Sequence, residues 1–498
     1  MRRPRGATGD GGGAVTEGRL SGPITSFDGP VRVATAPVPR RWYLRTDQWS
    51  IVIYVSAVGA FSLVSLYEKD SPWIGIGLFA AIAVALHTFL VARDVPWIPG
   101  MVAMVALIQW VIAPWIAYYV PPDAAVFEMA LRPDEYFNYA VPATLLFVVG
   151  LYLPTWRKGR VLHRRRNISE PQTFRATCDT MIVLGTVAYL LLPHVPAVLR
   201  YSMELATYLA FVGAYGLMLV NRKGWRWRLL FVLGIRMAMS TGSGLFHEFM
   251  LWLTYSGALY IYSQRLRPRT VFLLLVAGGF FVGVLDEAKL AFRKQIALAP
   301  DMSLSDRFAT LGTALGSQAQ DPVATFTGSA LSHFVTRLNQ GWIIARVMYW
   351  VPVQEPYADG ETLVNAFRAA LIPRVIDPGK YEAGGGIYFE RFTGFTLHDT
   401  SMNLSVAGEM YANFGPIGAM VGCFFFGFGL GYIYRLFARS SEHSILWWAW
   451  APYVMLYAMM AENGIGEGVN QIAKSFLIMI AAVTLIPAWN ALLFQRDA

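Results

Sequence analysis

The sequence predicts an all-α, polytopic membrane protein of about twelve transmembrane helices with one long extracytoplasmic loop. Three observations carry that reading. The 498-residue chain is 55% hydrophobic and only 15% charged, and its mean hydropathy of +0.43 is too apolar for a soluble chain of this length. Its apolar residues gather in runs of roughly 16 to 25, about what a helix needs to cross some 30 Å of hydrocarbon. Its basic residues gather in short loops between those runs.

The runs place spans at about 49–67, 72–92, 97–120, 137–156, 178–198, 203–221, 227–245, 247–263, 270–285, 412–436, 444–461 and 472–492. The densest positive block, Arg157, Lys158, Arg160, Arg164, Arg165 and Arg166, belongs in the cytoplasm. Alternate crossings then put Arg222, Lys223, Arg226 and Arg228 inside, with Arg265, Arg267 and Arg269, and later Arg435 and Arg439. Outside fall Glu68, Lys69 and Asp70, the acidic loop with Asp123, Glu128, Asp134 and Glu135, and finally Glu462 and Glu467. Both termini are expected in the cytoplasm.

Four regions result. Residues 1–45, rich in Gly, Pro, Thr and Arg and without an apolar core, are expected to be a disordered cytoplasmic tail. Residues 46–285 carry helices one to nine, 286–405 form the extracytoplasmic loop with interfacial helices, and 406–498 carry helices ten to twelve. The net charge of +9 stands beside the hydrophobic runs, so it is assigned to topology and no nucleic-acid partner is expected. Cys178 and Cys423 lie in apolar runs far apart, which indicates no disulfide framework.

The loop of residues 286–405 is too long for a connector. Its apolar stretches 342–353 and 363–372 are too short to span and read as interfacial or re-entrant helices. Its cations include Arg293, Arg337, Arg374, Lys380 and Arg391, near the polar Asn339 and Gln340. Several guanidinium groups suit the oxygens of a diphosphate, whereas the bland reading pairs them with Glu355, Asp359, Glu361 and other loop carboxylates. A second cluster, His398 and Asp399, then Glu409, Tyr411 and Asn413, stands where the tenth span enters the bilayer. There an ionisable side chain suits a general base, against the plainer role of flanking a helix. Arg236 lies mid-span and reads as a packing or pairing residue, while His247 and Glu248 near an outer end can line the same vestibule. The glycines 422, 427, 429 and 431 read as a small-residue packing face. No metal-ligand spacing or nucleotide-binding loop is present, so neither a metal nor another cofactor is expected.

The string GEMYANFGPIG at 408–418, leading into a Gly-rich apolar helix, resembles the oligosaccharide repeat-unit polymerases, the Wzy-type O-antigen polymerases. KLAFR at 289–293, RLNQ at 337–340 and PRVIDPGK at 373–380 are similar to further landmarks of that family, in the same order. The resemblance implies a GT-C-like polymerase and ligase architecture in a bacterial inner membrane. It also implies transfer of a glycan from undecaprenyl diphosphate onto the next lipid-linked repeat unit. Glu409, His398 and Asp399 would then be catalytic, and Arg293, Arg337, Arg374, Lys380, Arg391, Asn339, Gln340, Tyr411 and Asn413 would bind substrate. Implied partners are the lipid-linked donor and acceptor, the bilayer, a chain-length regulator and a flippase. O-antigen ligases offer a second reading, although their His, Asn/Ser/Gln, Gly pattern is broken by Asp399 after His398 and by Gly408 one residue early. A polysaccharide-lipid transporter is a third, set against the long loop and the absence of an internal repeat.

Overall fold

The computed structural model describes residues 71–91, 94–122, 124–156, 171–244, 246–299, 302–320, 328–372, 386–396 and 402–493, with positions 59, 376, 377 and 379. The expected first span and N-terminal tail, as well as Arg374, Lys380, His398 and Asp399, lie outside the described residues. Among those described there is helix and no strand, and seven helices are long and apolar enough to cross a membrane.

In chain order the helices begin with α1 (Pro72–Val91), α2 (Ile98–Ala117), α3 (Pro133–Trp156) and α4 (Pro171–Leu191). There follow α5 (Ala197–Thr207) and α6 (Leu209–Leu219), which form one span broken at Tyr208, then α7 (Trp225–Ser243), α8 (His247–Gln264) and α9 (Pro268–Leu298). A run of shorter helices, α10 (Leu304–Gln320), α11 (Gly328–Leu338), α12 (Gly341–Trp350), α13 (Glu361–Leu371) and α14 (Ile387–Thr393), occupies the expected loop. The chain closes with α15 (Ser405–Ser440), α16 (Trp447–Val454), α17 (Ile465–Leu485) and α18 (Pro487–Leu493).

Several boundaries differ from the sequence reading. The ninth helix does not stop at 285 but runs to Leu298, because residues 286–298 are mostly good helix formers, with no Gly or Pro among them. The expected span at 444–461 is the eight-residue α16 and a 3-10 turn, Leu456–Met459. Eight residues rise only about 12 Å, less than half a bilayer core. Pro452 inside α16 removes a helical donor and helps end it there. Helices α7, with Arg226, Arg228 and Arg236, and α8 fall outside the seven apolar spans.

The tenth span starts earlier than expected and bends. At Gly415 the backbone takes φ 66° and ψ −173°, and Pro416 follows. Only glycine enters that region without strain, and proline cannot donate back across the break. The turns bearing Glu409, Tyr411 and Asn413 thus leave the axis of the long helix behind them. That long part packs on α3 through glycines: a Cβ on Gly427 would lie 2.3 Å from the Phe147 carbonyl oxygen, and one on Gly431 2.3 Å from that of Leu151. Gly150 of α3 meets the Phe424 carbonyl the same way, at 2.2 Å. Backbones approach this closely only where side chains are absent.

The α13 helix has two faces. Thr362, Ala366, Ala369 and Ala370 are buried, whereas Val364, Phe367 and Leu371 on the other side are 51–68% exposed. Large apolar side chains facing outward at i, i+3 and i+7 suit a helix lying in a membrane interface.

Candidate functional site

The site is organised by the segment between α16 and α17, residues 455–464, a 3-10 turn followed by five non-helical residues. Irregular backbone at membrane depth must satisfy its polar groups against protein or water, and here neighbouring side chains do so. The Tyr255 hydroxyl donates to the Met455 carbonyl at 2.7 Å, and Trp110 Nε1 to the Ala461 carbonyl at 3.2 Å. The Ile465 N–H, in the first turn of α17, donates to Glu409 Oε2 at 2.7 Å.

Glu409 is 5% exposed. It accepts from the Ile465 N–H and from the Thr362 hydroxyl, so its carboxylate ties α15 to α17 and α13. With Thr362, Tyr388, Asn403 and Glu467, and the apolar Phe389 and Leu404, it lines a small cavity of mixed polarity. Burial raises the Tyr388 phenol above its ordinary range, partly offset by the Asn365 amide that donates to it at 2.8 Å, with Glu361 and Glu409 adding to the rise. Tyr388 therefore enters the cavity wall as a neutral phenol. Replacing Glu409 by alanine strips the Ile465 N–H and the Thr362 hydroxyl of their acceptor, at about 1–3 kcal/mol per buried group left unpaired. The expected result is a clearly lower melting temperature in detergent, with glutamine losing less because its amide oxygen still accepts. Equal melting of the alanine variant and the parent would refute this anchoring role.

Asn413 and Tyr411 hold the same junction. Asn413 is fully buried; its Oδ1 accepts the Gly360 N–H at 3.0 Å and its Nδ2 donates to Thr362 Oγ1 at 2.7 Å and to the Glu409 carbonyl at 2.8 Å. Tyr411 packs edge-on against Tyr139 with ring centres 5.0 Å apart.

A second group meets the same segment. Glu462 takes His247 Nδ1 on Oε1 at 3.0 Å and Gln109 Nε2 on Oε2 at 3.0 Å. Burial pushes the Glu462 carboxyl up. The bond and charge of His247, the Gln109 bond and the charge of Arg337 outweigh it and hold the group below the usual range, ionised. The local sequence explains Gln109. Pro114 cannot donate to the Trp110 carbonyl, and the helix widens into a π turn over Ile108–Ile112. The freed carbonyls of Trp110 and Gln109 then accept the Tyr136 hydroxyl at 2.8 Å and the Gln340 N–H at 3.1 Å.

The predicted cations separate into two sets. Arg391 is held by Glu355 at 2.6 Å and Glu361 at 2.9 Å, a carboxylate clamp that keeps it firmly protonated and faces it into the protein's own charges. Arg293 and Arg337 have exposed side chains. Arg293 Nε donates to the Gly244 carbonyl at 2.9 Å, three residues before His247, and Arg337 acts on Glu462. Asn339 is 1% exposed, its amide nitrogen 3.6 Å from the Met129 sulfur, and Gln340 begins α12 beside Gln109. The structure thus sets Arg293 on the turn before His247, Arg337 within charge range of Glu462 and Gln340 against Gln109, leaves Asn339 against Met129, and gathers Glu409, Tyr411 and Asn413 at the next junction.

Two site residues had no functional role in the sequence reading. Gln109 is a lone amide in an apolar run ahead of a proline, a pattern that signals a π turn. Glu462 passed for an outer-loop acid, because its partners His247 and Gln109 are distant in the chain and are brought to it only by packing. Comparison of the chain with protein-family models, with curated proteins and with solved structures finds no match.

Proposed function

We propose that the chain is a membrane glycosyltransferase that polymerises undecaprenyl-diphosphate-linked oligosaccharide repeat units into a surface polysaccharide. The reaction is placed at the extracytoplasmic face of a bacterial inner membrane, with both chain termini inside. The observation that supports this best is the pairing of exposed cations with held carboxylates at one place. Arg293 and Arg337 flank the turn where Glu462 meets His247, while Glu409 fixes the neighbouring backbone. Preorganised guanidinium groups stabilise a departing diphosphate where its charge develops, and the activated donor supplies the energy. The exposed apolar face of α13 supports access from the lipid surface. A flippase delivering repeat units and a chain-length regulator belong to the same reading.

Deleting the gene and analysing the lipid-linked glycans tests it. Accumulation of single repeat units on the lipid is the expected result. Long polymer left on the lipid carrier would instead show a ligase, and an unchanged glycan profile would overturn the assignment altogether.

A further inference from the structure

His247 opens α8 three residues after the left-handed Gly244 that ends α7. Its Nδ1 lies 3.0 Å from Glu462 Oε1, and Gln109 holds the other carboxylate oxygen at 3.0 Å. A carboxylate accepting from Nδ1 fixes the imidazole tautomer and orientation, leaving the lone pair on Nε2. Among the described residues Nε2 has no protein partner, and the His247 side chain is 40% exposed. Gln109, and the adjacent Asn339 and Gln340 whose segment bonds the Gln109 carbonyl through the Gln340 N–H, carry amide oxygens that lack a hydrogen-bond partner among the described residues: Gln109 Oε1, Asn339 Oδ1 and Gln340 Oε1. Gln109 and Asn339 are more than nine-tenths buried. Buried acceptors left unmatched call for donors, and sugar hydroxyls are donors.

We infer that His247 is the general base of the transfer, taking at Nε2 the proton of the attacking acceptor hydroxyl, with Glu462 and Gln109 as positioning residues. This rests on the glycosyl-transfer reading above. The acceptor oxygen forms its bond to the anomeric carbon of the donor as the bond from that carbon to the diphosphate oxygen breaks. The electron pair leaves with the diphosphate, beside Arg293 and Arg337, and the hydroxyl proton passes to the imidazole and from there to water. Glu462 stabilises the imidazolium that forms, as a carboxylate does when it orients a histidine base.

The test uses the full chain in lipid vesicles containing the repeat-unit lipids extracted from the deletion strain. His247→Gln keeps a donor for Glu462 but removes the base, and is expected to slow polymer formation about 10²–10⁴-fold while melting near the parent. His247→Ala should regain part of its rate with added imidazole. Glu462→Gln removes the negative charge facing His247, so the acid limb of the rate profile should move to lower pH. The other groups around His247 stay in place: Arg337, Arg293, and Glu248 with its partner Arg236. A His247→Gln protein at the parental rate overturns the base and leaves the polymerase standing. So does an inactive one when imidazole gives no rescue and the Glu462→Gln profile does not move. A parental protein that makes no polymer from these lipids overturns the glycosyl-transfer reading, and the base falls with it.

Discussion

Replacing Arg236 by alanine is expected to destabilise the protein by about 3–5 kcal/mol, the cost of leaving a buried charge without its partner. Arg236 is 7% exposed and pairs directly with Glu248, whose carboxylate also accepts from the Tyr208 hydroxyl at 2.6 Å and the Tyr457 hydroxyl at 3.4 Å. The guanidinium also lies 5.3 Å from the centre of the Tyr208 ring. Removing it takes away the ion pair and the cation–π contact together. Arg236→Met with Glu248→Gln should melt higher than Arg236→Met alone, since the second change neutralises the stranded carboxylate. Thermal unfolding in detergent at constant lipid content measures both. Parental melting of Arg236→Ala would show that water or lipid already carries the Glu248 charge.

The glycine seam between α3 and α15 should be nearly as sensitive. A methyl group on Gly427 or Gly431 would stand 2.3 Å from a main-chain carbonyl oxygen of α3. Backbone cannot swing aside as a side chain can, so the helices must separate and lose contact along the seam. Each alanine is expected to cost about 1–3 kcal/mol, and valine more. Gly429 lies between them with nothing within 4 Å of its Cβ position. Gly429→Ala is therefore expected to be neutral, or to stabilise by up to about 1 kcal/mol through helix propensity. Equal melting of the Gly429 and Gly431 variants would refute the seam.

The contrast between these two glycines shows where sequence reading stops. The series 422, 427, 429 and 431 announced helix packing. Only the α3 partner separates Gly427 and Gly431, which face backbone, from Gly429, which faces open space. Apolar runs were legible because lipid rewards a continuous hydrophobic stretch whatever its neighbours. The end of the ninth helix was not, since hydropathy falls at 286 while helix propensity persists to Leu298. The eleventh segment misled for the opposite reason. It is apolar enough to span, but Pro452 and the bonds of Tyr255 and Trp110 draw its backbone out of helix.

The candidate site divides along the same line. Composition, spacing and charge bias were enough to announce a helical membrane protein, to point to Glu409 and Asn413 at the mouth of the tenth span, and to nominate Arg293, Arg337, Arg374 and Arg391 together as cations of the long loop. These are properties of local sequence, set by hydrophobic length and side-chain type. That Arg391 is spent on Glu355 and Glu361, and that Gln109, His247 and Glu462 meet, came only from the tertiary structure. Gln109 and Glu462 are 353 residues apart in the chain. A hydrogen bond acts over about 3 Å, so its partners are chosen by how helices pack, and no periodicity along the chain records that choice.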